Sequence, residues 1–358
     1  MTAGGERSAY RPLAGIRILD FSWSLPGPCG TKMLADLGAE VEAVDLSGRP
    51  EIFRTLPPLA DEASYAWHYV NEGKRRRTVN HRNVADIEAV RGEIGNYDVL
   101  VEQFRPGAMA AWGLGYDDLA ALNPSLVYCS VSGFGQDGDF RDRAGHDINY
   151  LALSGVAHFM RGADGAPALS ALPVADLAGG SLHAVIGILA ALQGRERTGQ
   201  GAHVDVSMTD AVWALNAYAG PPALNGVAEE PGTGMLDGGC FYGYYETRDG
   251  RWLAVGGIEP KFVDGLFGAL ERPDLAGALR EAAPNAHDHV RAELAKVIAT
   301  RDFEDWRAFF ALLDVCVEPV LTVDEAADHP HFVSRGGTLI TDTGQRHFAA
   351  PLRFRTPS

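Results

Sequence analysis

The chain has 358 residues, 46% hydrophobic and 22% charged, which suits two globular domains with a sizeable core and excludes a disordered or low-complexity protein. A formal net charge of −16 argues against general nucleic-acid binding. The four cysteines (Cys29, Cys129, Cys240, Cys316) lie far apart without a CxxC pair, so neither a disulfide framework nor a structural zinc site is expected.

The opening "MTAGGERSAYRPLAG" has no apolar signal core, no later run reads as long enough to cross a bilayer, and "RTPS" is not a peroxisomal address. A cytoplasmic protein with no membrane partner is expected. "IRILDF" (16–21) predicts a buried strand, "GTKMLADLGA" (30–39) a helix closed by Gly38, and "EVEAV" (40–44) a second strand. This βαβ opening favours a parallel sheet with flanking helices. "GKRRRT" is the one dense basic cluster, readable as a solvated turn or as a local phosphate cradle. Further strands are predicted at "DVLVEQF" (98–104) and "SLVYCSVSGFG" (125–135). A helix is predicted from about Asp147 to His158, and "SLHAVIGILAALQG" (181–194) reads as a buried helix. A strand "AHVDVSM" and a helix "TDAVWALNAYA" follow. The Gly/Pro-rich stretch 220–235 reads as a linker. A hairpin around Asp249-Gly250, helices including "FEDWRAFFALL" (303–313) and a strand "CVEPVLT" (316–322) come next. The expected organisation is a large domain over 1–219, a linker at 220–235, a small domain at 236–330 and a tail, 331–358, returning to the large domain.

Several chemistries can be weighed on residue patterns alone. The first turn, "SWSLPGPCGTK", offers Gly27 and Gly30 but no G-x-G-x-x-G, so a nicotinamide site is rejected even though Asp45 ends the second strand. "HDH" (287–289) and "HPH" (329–331) lack companion ligands, and no metal is expected. No G-x-S-x-G elbow supports a hydrolase. "GHDINYLALSG" (145–155) sets His146 beside Asp147 at a helix start, which either caps the helix or carries chemistry. Two isolated carboxylates in apolar settings accompany it: Asp176 in "LPVADLAGG" and Glu259 in "VGGIEPKF". A carboxylate among apolar residues is costly unless paired or used.

In order, "PLAGIRILDFS", "LADLGAEV", "NEGKRR", "FRPGAMAAWGLGYDDLAALNPSLVYCSVSGFGQDG", "AGHDINYLALSG", "ADLAGG", "RTGQGAHVDVSM", "MLDGG", "FYGYYETRDGRWLAVGGIEPKF" and "CVEPVLT" resemble the family III CoA-transferase (CaiB/BaiF) superfamily over essentially the whole chain. "GHDINYLALSG" and "GGIEPKF" resemble its α-methylacyl-CoA racemase branch. The resemblance implies a Rossmann-like parallel-sheet large domain plus a smaller α+β domain, in an interlocked homodimer. It implies an acyl-CoA thioester substrate with no separate cofactor, CoA being part of the substrate. His146 and Asp176 would be the two bases that exchange the α-proton through an enolate. Glu259 would support the histidine from the partner chain. Two bases that alternate roles must titrate near neutrality, which an apolar setting favours for Asp176. The helix opening at Asp147 would receive the enolate oxygen. Lys74, Arg75 and Arg105 would hold the CoA ester, and Tyr150 would line the pocket. In the transferase branch the aspartate matching Asp147 is the covalent nucleophile, and those enzymes generally lack the histidine found here at 146. A CoA-transferase using Asp147 is therefore the alternative, followed by a non-catalytic acyl-CoA-binding protein. The chain departs from the family pattern at "EVEAVDLSGRP", where the family often carries an earlier basic residue that Arg49 either replaces or does not, and in stopping at Ser358.

Overall fold

The computed structural model describes residues 10–49, 51–162, 164–227, 230–280 and 285–356. The sequence expectations on the first nine residues and on the end of the tail at Ser358 lie outside them. The chain divides into two compact units: the first within Met1–Ala157, Leu169–Asn216 and Gly336–Ser358, the second His158–Ala168 and Ala217–Arg335. The Gly/Pro-rich stretch 220–235 thus belongs to the second unit, where Gly220–Leu224 forms a short helix.

The first unit is a mixed α/β fold around six strands: β1 (Arg17–Asp20), β2 (Glu40–Leu46), β3 (Arg75–Val79), β4 (Val99–Glu102), β5 (Val127–Ser132) and β6 (Ala202–Ser207). Their order is β3-β2-β1-β4-β5-β6, with every neighbouring pair parallel. The predicted strands are apolar runs because central parallel strands are covered on both faces. Ile18, Leu19, Val99, Leu100, Val127 and Cys129 have no exposed surface. The order reverses between β1 and β4, and in open sheets of this kind ligands bind beyond the carboxyl ends of the strands at such a point.

Strand β3 was not predicted, because "RRRTV" reads as a solvated segment. It forms an edge strand because β2 supplies acids for its arginines. Arg76 pairs with Asp45, and Arg77 lies 3.6 Å from Glu42 and 2.7 Å from Glu93.

The helices that frame the site are α1 (Pro26–Asp36), α2 (Asp147–Leu153), α3 (His183–Thr198) and α4 (Met208–Leu215). The helix expected to run from Asp147 to His158 stops at Leu153. Gly155, in a left-handed conformation (φ 77°), separates it from a short turn of helix at Val156–Phe159. Directly before α3, Ala175–Leu182 winds as a π-helix. The continuous stretch Ala175–Thr198 contains an 18-residue window with a mean hydropathy of 1.6 and, by length and composition, is long enough to cross a membrane, which revises the expectation that no run qualifies. Nor is α3 fully buried. Ala184, Ile188 and Leu192 pack inward, against strands β5 and β6 among others, while Ile186 is exposed. That pattern belongs to a helix covering a sheet.

The second unit holds an antiparallel sheet of β7 (Gly243–Glu246), β8 (Trp252–Val255) and β9 (Val317–Pro319), in the order β9-β8-β7. Its hairpin turns at Asp249-Gly250 as predicted, with Gly250 left-handed (φ 77°). Helix α5 (Pro260–Ala269) and three further helices cover the sheet around a core that includes Phe241, Leu253, Phe267 and Trp306.

Candidate active site

The site begins where β5 ends and the chain turns into α2. His146 is the residue before the first helical turn, in extended conformation (φ −133°, ψ 176°). The cap is made by Asn149: its Oδ1 accepts the His146 N–H at 3.0 Å, and its own N–H donates to the His146 carbonyl at 2.8 Å. Asp147, expected to cap this helix, does something else. Its Oδ1 accepts the backbone N–H groups of Ala175 (2.6 Å) and Asp176 (3.1 Å), the first residues of the π-helix. The Asp147 carboxylate thus caps the element that carries Asp176, and joins the two halves of the site.

A π-helix has wider turns than an α-helix, with i→i+5 hydrogen bonds; it is rare and occurs frequently at functional sites. Side chains here support the wide turns. The Ser181 hydroxyl donates to the Pro26 carbonyl at 2.7 Å and reaches the Asp176 carbonyl at 3.3 Å; the His183 ring Nδ1 lies 2.6 Å from the Ala178 carbonyl. The glycines of "ADLAGG" allow close packing. A Cβ on Gly179 would stand 2.9 Å from the Met208 carbonyl oxygen, and one on Gly180 2.7 Å from Pro26 Cβ. Only a bare backbone fits between α1 and α4 at this point.

Asp176 is half-buried, and its carboxyl is pushed up to about 6, first by burial and then by the nearby Asp147 charge, while His146 pulls it back down. His146 itself is exposed to solvent. The first unit therefore brings His146, Asp147 and Asp176 together. Glu259 lies in the second unit, exposed at the residue before α5, with Pro260 opening that helix.

Tyr150, expected to line the pocket, is a core residue instead. It is 5% exposed, its hydroxyl donates to the Gly145 carbonyl at 2.5 Å, and its ring meets Phe134 edge-on at 5.3 Å. A Cβ on Gly133 or Gly145 would run into that ring, at 2.5 and 2.6 Å. Tyr150 therefore supports the turn that presents His146. Burial, Asp176 and Asp147 together push its phenol up to about 12, keeping it protonated.

Lys74 is likewise misplaced as a ligand for CoA. Its ammonium is wholly buried and directs its three protons to the Asp20 carboxylate (3.1 Å), the Pro28 carbonyl (2.9 Å) and the Thr31 hydroxyl (2.7 Å). An ammonium has three donors, and all are used inside the protein. The "GKRRRT" cluster therefore divides: Lys74 ties β1 to α1, Arg76 and Arg77 pair with acids, and only Arg75 faces solvent, 3.9 Å from Glu40. Arg105 is exposed beyond β4 and contacts the Asp142 carbonyl at 3.5 Å.

A crevice lies beyond the carboxyl ends of β1, β2 and β4, lined by Trp23, Arg49, Glu51, Arg76 and Phe104 among others. The Arg49 guanidinium sits over the Trp23 ring at 3.9 Å and the Phe104 ring at 5.5 Å. Among the described residues no group of three or more His, Cys, Asp or Glu is placed to hold a metal ion.

A family model described as CoA-transferase family III matches residues 13–357. The chain belongs to that family. It is 35% identical over 356 residues to an alpha-methylacyl-CoA racemase from Homo sapiens, covering 97% of this chain and 87% of the relative. It is also 30% identical over 337 residues to a succinyl-CoA:glutarate CoA-transferase from Homo sapiens, covering 92% and 76%. The fold matches the crystal structure of a CAIB/BAIF family protein from Brucella suis, with a TM-score of 0.83 and 29% identity over 96% of this chain and 93% of that one. Within this family both isomerases and transferases thus stand close to the chain. Residue patterns did not reveal two roles, Asn149 as the cap and Asp147 as the π-helix anchor; the first had a signal in the Asn three residues after His146, the second had none.

Proposed function

We propose that this chain is a cofactor-independent racemase that interconverts (2R)- and (2S)-2-methylacyl-CoA thioesters by 1,1-proton transfer through an enolate. The observation that carries this reading is the pairing of His146 with a half-buried Asp176 whose carboxyl is pushed up to about 6 by burial and the Asp147 charge, while the Asp147 carboxylate is engaged by two backbone N–H groups. A base with a value near neutrality can both take and return a proton at physiological pH, as a two-base mechanism demands. In one direction Asp176 removes the α-proton and the His146 imidazolium supplies one to the opposite face; in the other the roles exchange. The enolate needs a donor as charge develops on the thioester oxygen, and the N–H of Asp147 at the first turn of α2 is the assigned group. Glu259, acting from the partner chain of an interlocked homodimer, would orient the imidazole.

Arg105 and Arg75, both exposed, would bind the CoA phosphates. Arg49, stacked against Trp23 and Phe104 at the strand ends, would take the adenosine end in place of the basic residue that the family often carries at the second strand. The acidic surface charge and this substrate class support a cytoplasmic location. The second reading, a CoA-transferase using Asp147 covalently, has the 30% identical transferase in its favour. Incubation with a (2R)-methylacyl-CoA in heavy water, without an acceptor acid, tests both. Deuterium at C2 is expected. In a parallel incubation, transfer of CoA from the methylacyl group to an added acid, with hydroxylamine trapping the acyl anhydride on Asp147 and no exchange at C2, would sink the proposal, and binding without exchange or transfer would favour a non-catalytic binder.

A further inference from the structure

We propose that the Asp147 side chain is a positioning residue for proton transfer: it fixes the start of the π-helix, and with it the Asp176 carboxylate, relative to His146. This rests on the racemase reading above. The geometry is direct. Asp147 follows His146 in the chain, and its Oδ1 receives the N–H groups of Ala175 and Asp176 at 2.6 and 3.1 Å, across 28 and 29 residues of sequence. One carboxylate oxygen thus joins the backbone beside the histidine base to the backbone of the carboxylate base. The N–H groups at a helix start have no partner within the helix, and a charged acceptor holds them more firmly than a neutral one.

The rest of the π-helix is anchored independently, by Ser181 to the Pro26 carbonyl and by the close approach of Gly179 and Gly180 to α4 and α1. Removing the Asp147 acceptor therefore loosens the end that carries Asp176, which keeps the 3.3 Å approach of the Ser181 hydroxyl to the Asp176 carbonyl, and leaves the far end held. The same oxygen also acts on Asp176 through its charge. Asp147 raises the Asp176 carboxyl and His146 lowers it, and Tyr150 lies beside both acids with its hydroxyl bound to Gly145. The other elements packed on the π-helix bear Cys29, Lys32 and Asp36 on α1, His183, Arg195, Glu196 and Arg197 on α3, His203 and Asp205 on β6 and Asp210 on α4. None of these is among the groups that move Asp176.

Two variants of the full chain separate geometry from charge. Asp147→Ala removes the acceptor, and the expected result is a loss of about 10- to 100-fold in kcat for C2–H exchange with KM for the ester little changed, as for a misplaced reacting group. Asp147→Asn keeps an oxygen that can accept both N–H groups but removes the charge. It should recover most of that loss. Its acid limb of kcat/KM should lie below that of the wild type, because a neighbouring negative charge that favoured protonated Asp176 is gone. Wild-type exchange by Asp147→Ala would overturn the proposal. So would an acid limb in Asp147→Asn that stays in place or moves up, a readout that stands even if Asp147→Ala fails to fold. Failure of the underlying reading looks different: the wild type itself then shows no exchange but transfers CoA from the methylacyl group to an added acid, and both variants lose that transfer.

Discussion

The Asp176→Asn variant should be more stable than the wild type and inactive. Folding raises the Asp176 carboxyl from 3.8 to about 6, so the native state binds this proton more tightly than the unfolded chain. Its favourable contribution is present in full below the unfolded value and is lost as pH rises through about 6, so at neutral pH the ionised group opposes folding. A rise of about two units corresponds to about 3 kcal/mol at about 1.4 kcal/mol per unit. The group is only half-buried, and solvent screening reduces the expected gain to about 1–2 kcal/mol. An asparagine carries no charge to desolvate and keeps the backbone N–H that Asp147 accepts. Urea unfolding of both proteins at pH 8 and at pH 4 measures the difference. The variant should gain about 1–2 kcal/mol at pH 8 and little at pH 4, with C2–H exchange lost at both. An unchanged or lower stability at pH 8 would refute the desolvated-carboxylate reasoning, whatever happens to activity.

Replacing Lys74 by Met leaves the Asp20 carboxylate buried without its ammonium, and the expected cost is about 3–5 kcal/mol in denaturant unfolding. A variant of normal stability whose only defect is a raised KM would restore Lys74 to the ligand set. Gly180→Ala forces a Cβ to within 2.7 Å of Pro26 Cβ, so a loss of about 1–3 kcal/mol and a slower exchange rate are expected together. Stability loss without any change in kcat would detach the π-helix from the chemistry. Arg49→Ala should raise KM for a methylacyl-CoA about tenfold, the equivalent of one cation–aromatic and charge contact. KM for the matching pantetheine thioester, which lacks the adenosine end, should not move, and an equal rise in both would place Arg49 elsewhere.

The parallel sheet was legible because its central strands are apolar runs between turns, such as "IRILDF" and "SLVYCSVSG", and burial on both faces leaves no other choice for such runs. The edge strand Arg75–Val79 was not, since its arginines find their acids on β2, a pairing visible only once the strands are adjacent. The same holds for Lys74, whose three acceptors come from positions 20, 28 and 31. His146 and Asp176 could be singled out from local chemistry: a histidine at a helix start and an acid among apolar residues. The π-helix could not, because hydrophobic periodicity is read against 3.6 residues per turn, and "ADLAGGSL" offers too few large side chains to reveal a wider turn. Tyr150 shows the limit of spacing arguments. One helical turn after His146, it points its ring at Gly133 and Gly145, and the glycines that make room for it were not recognisable as its partners.

The most direct measurement of the central claim is the hydrogen at C2. A single-enantiomer 2-methylacyl-CoA is incubated in heavy water with wild-type protein and with His146→Ala, with no acceptor acid present. Deuterium at C2 with loss of optical purity in the wild type, and neither in a folded His146→Ala that still binds the ester, is the expected result. Retention of the original hydrogen and configuration by the wild type, or exchange that survives in His146→Ala with both enantiomers formed, would contradict a two-base racemase built on His146 and Asp176.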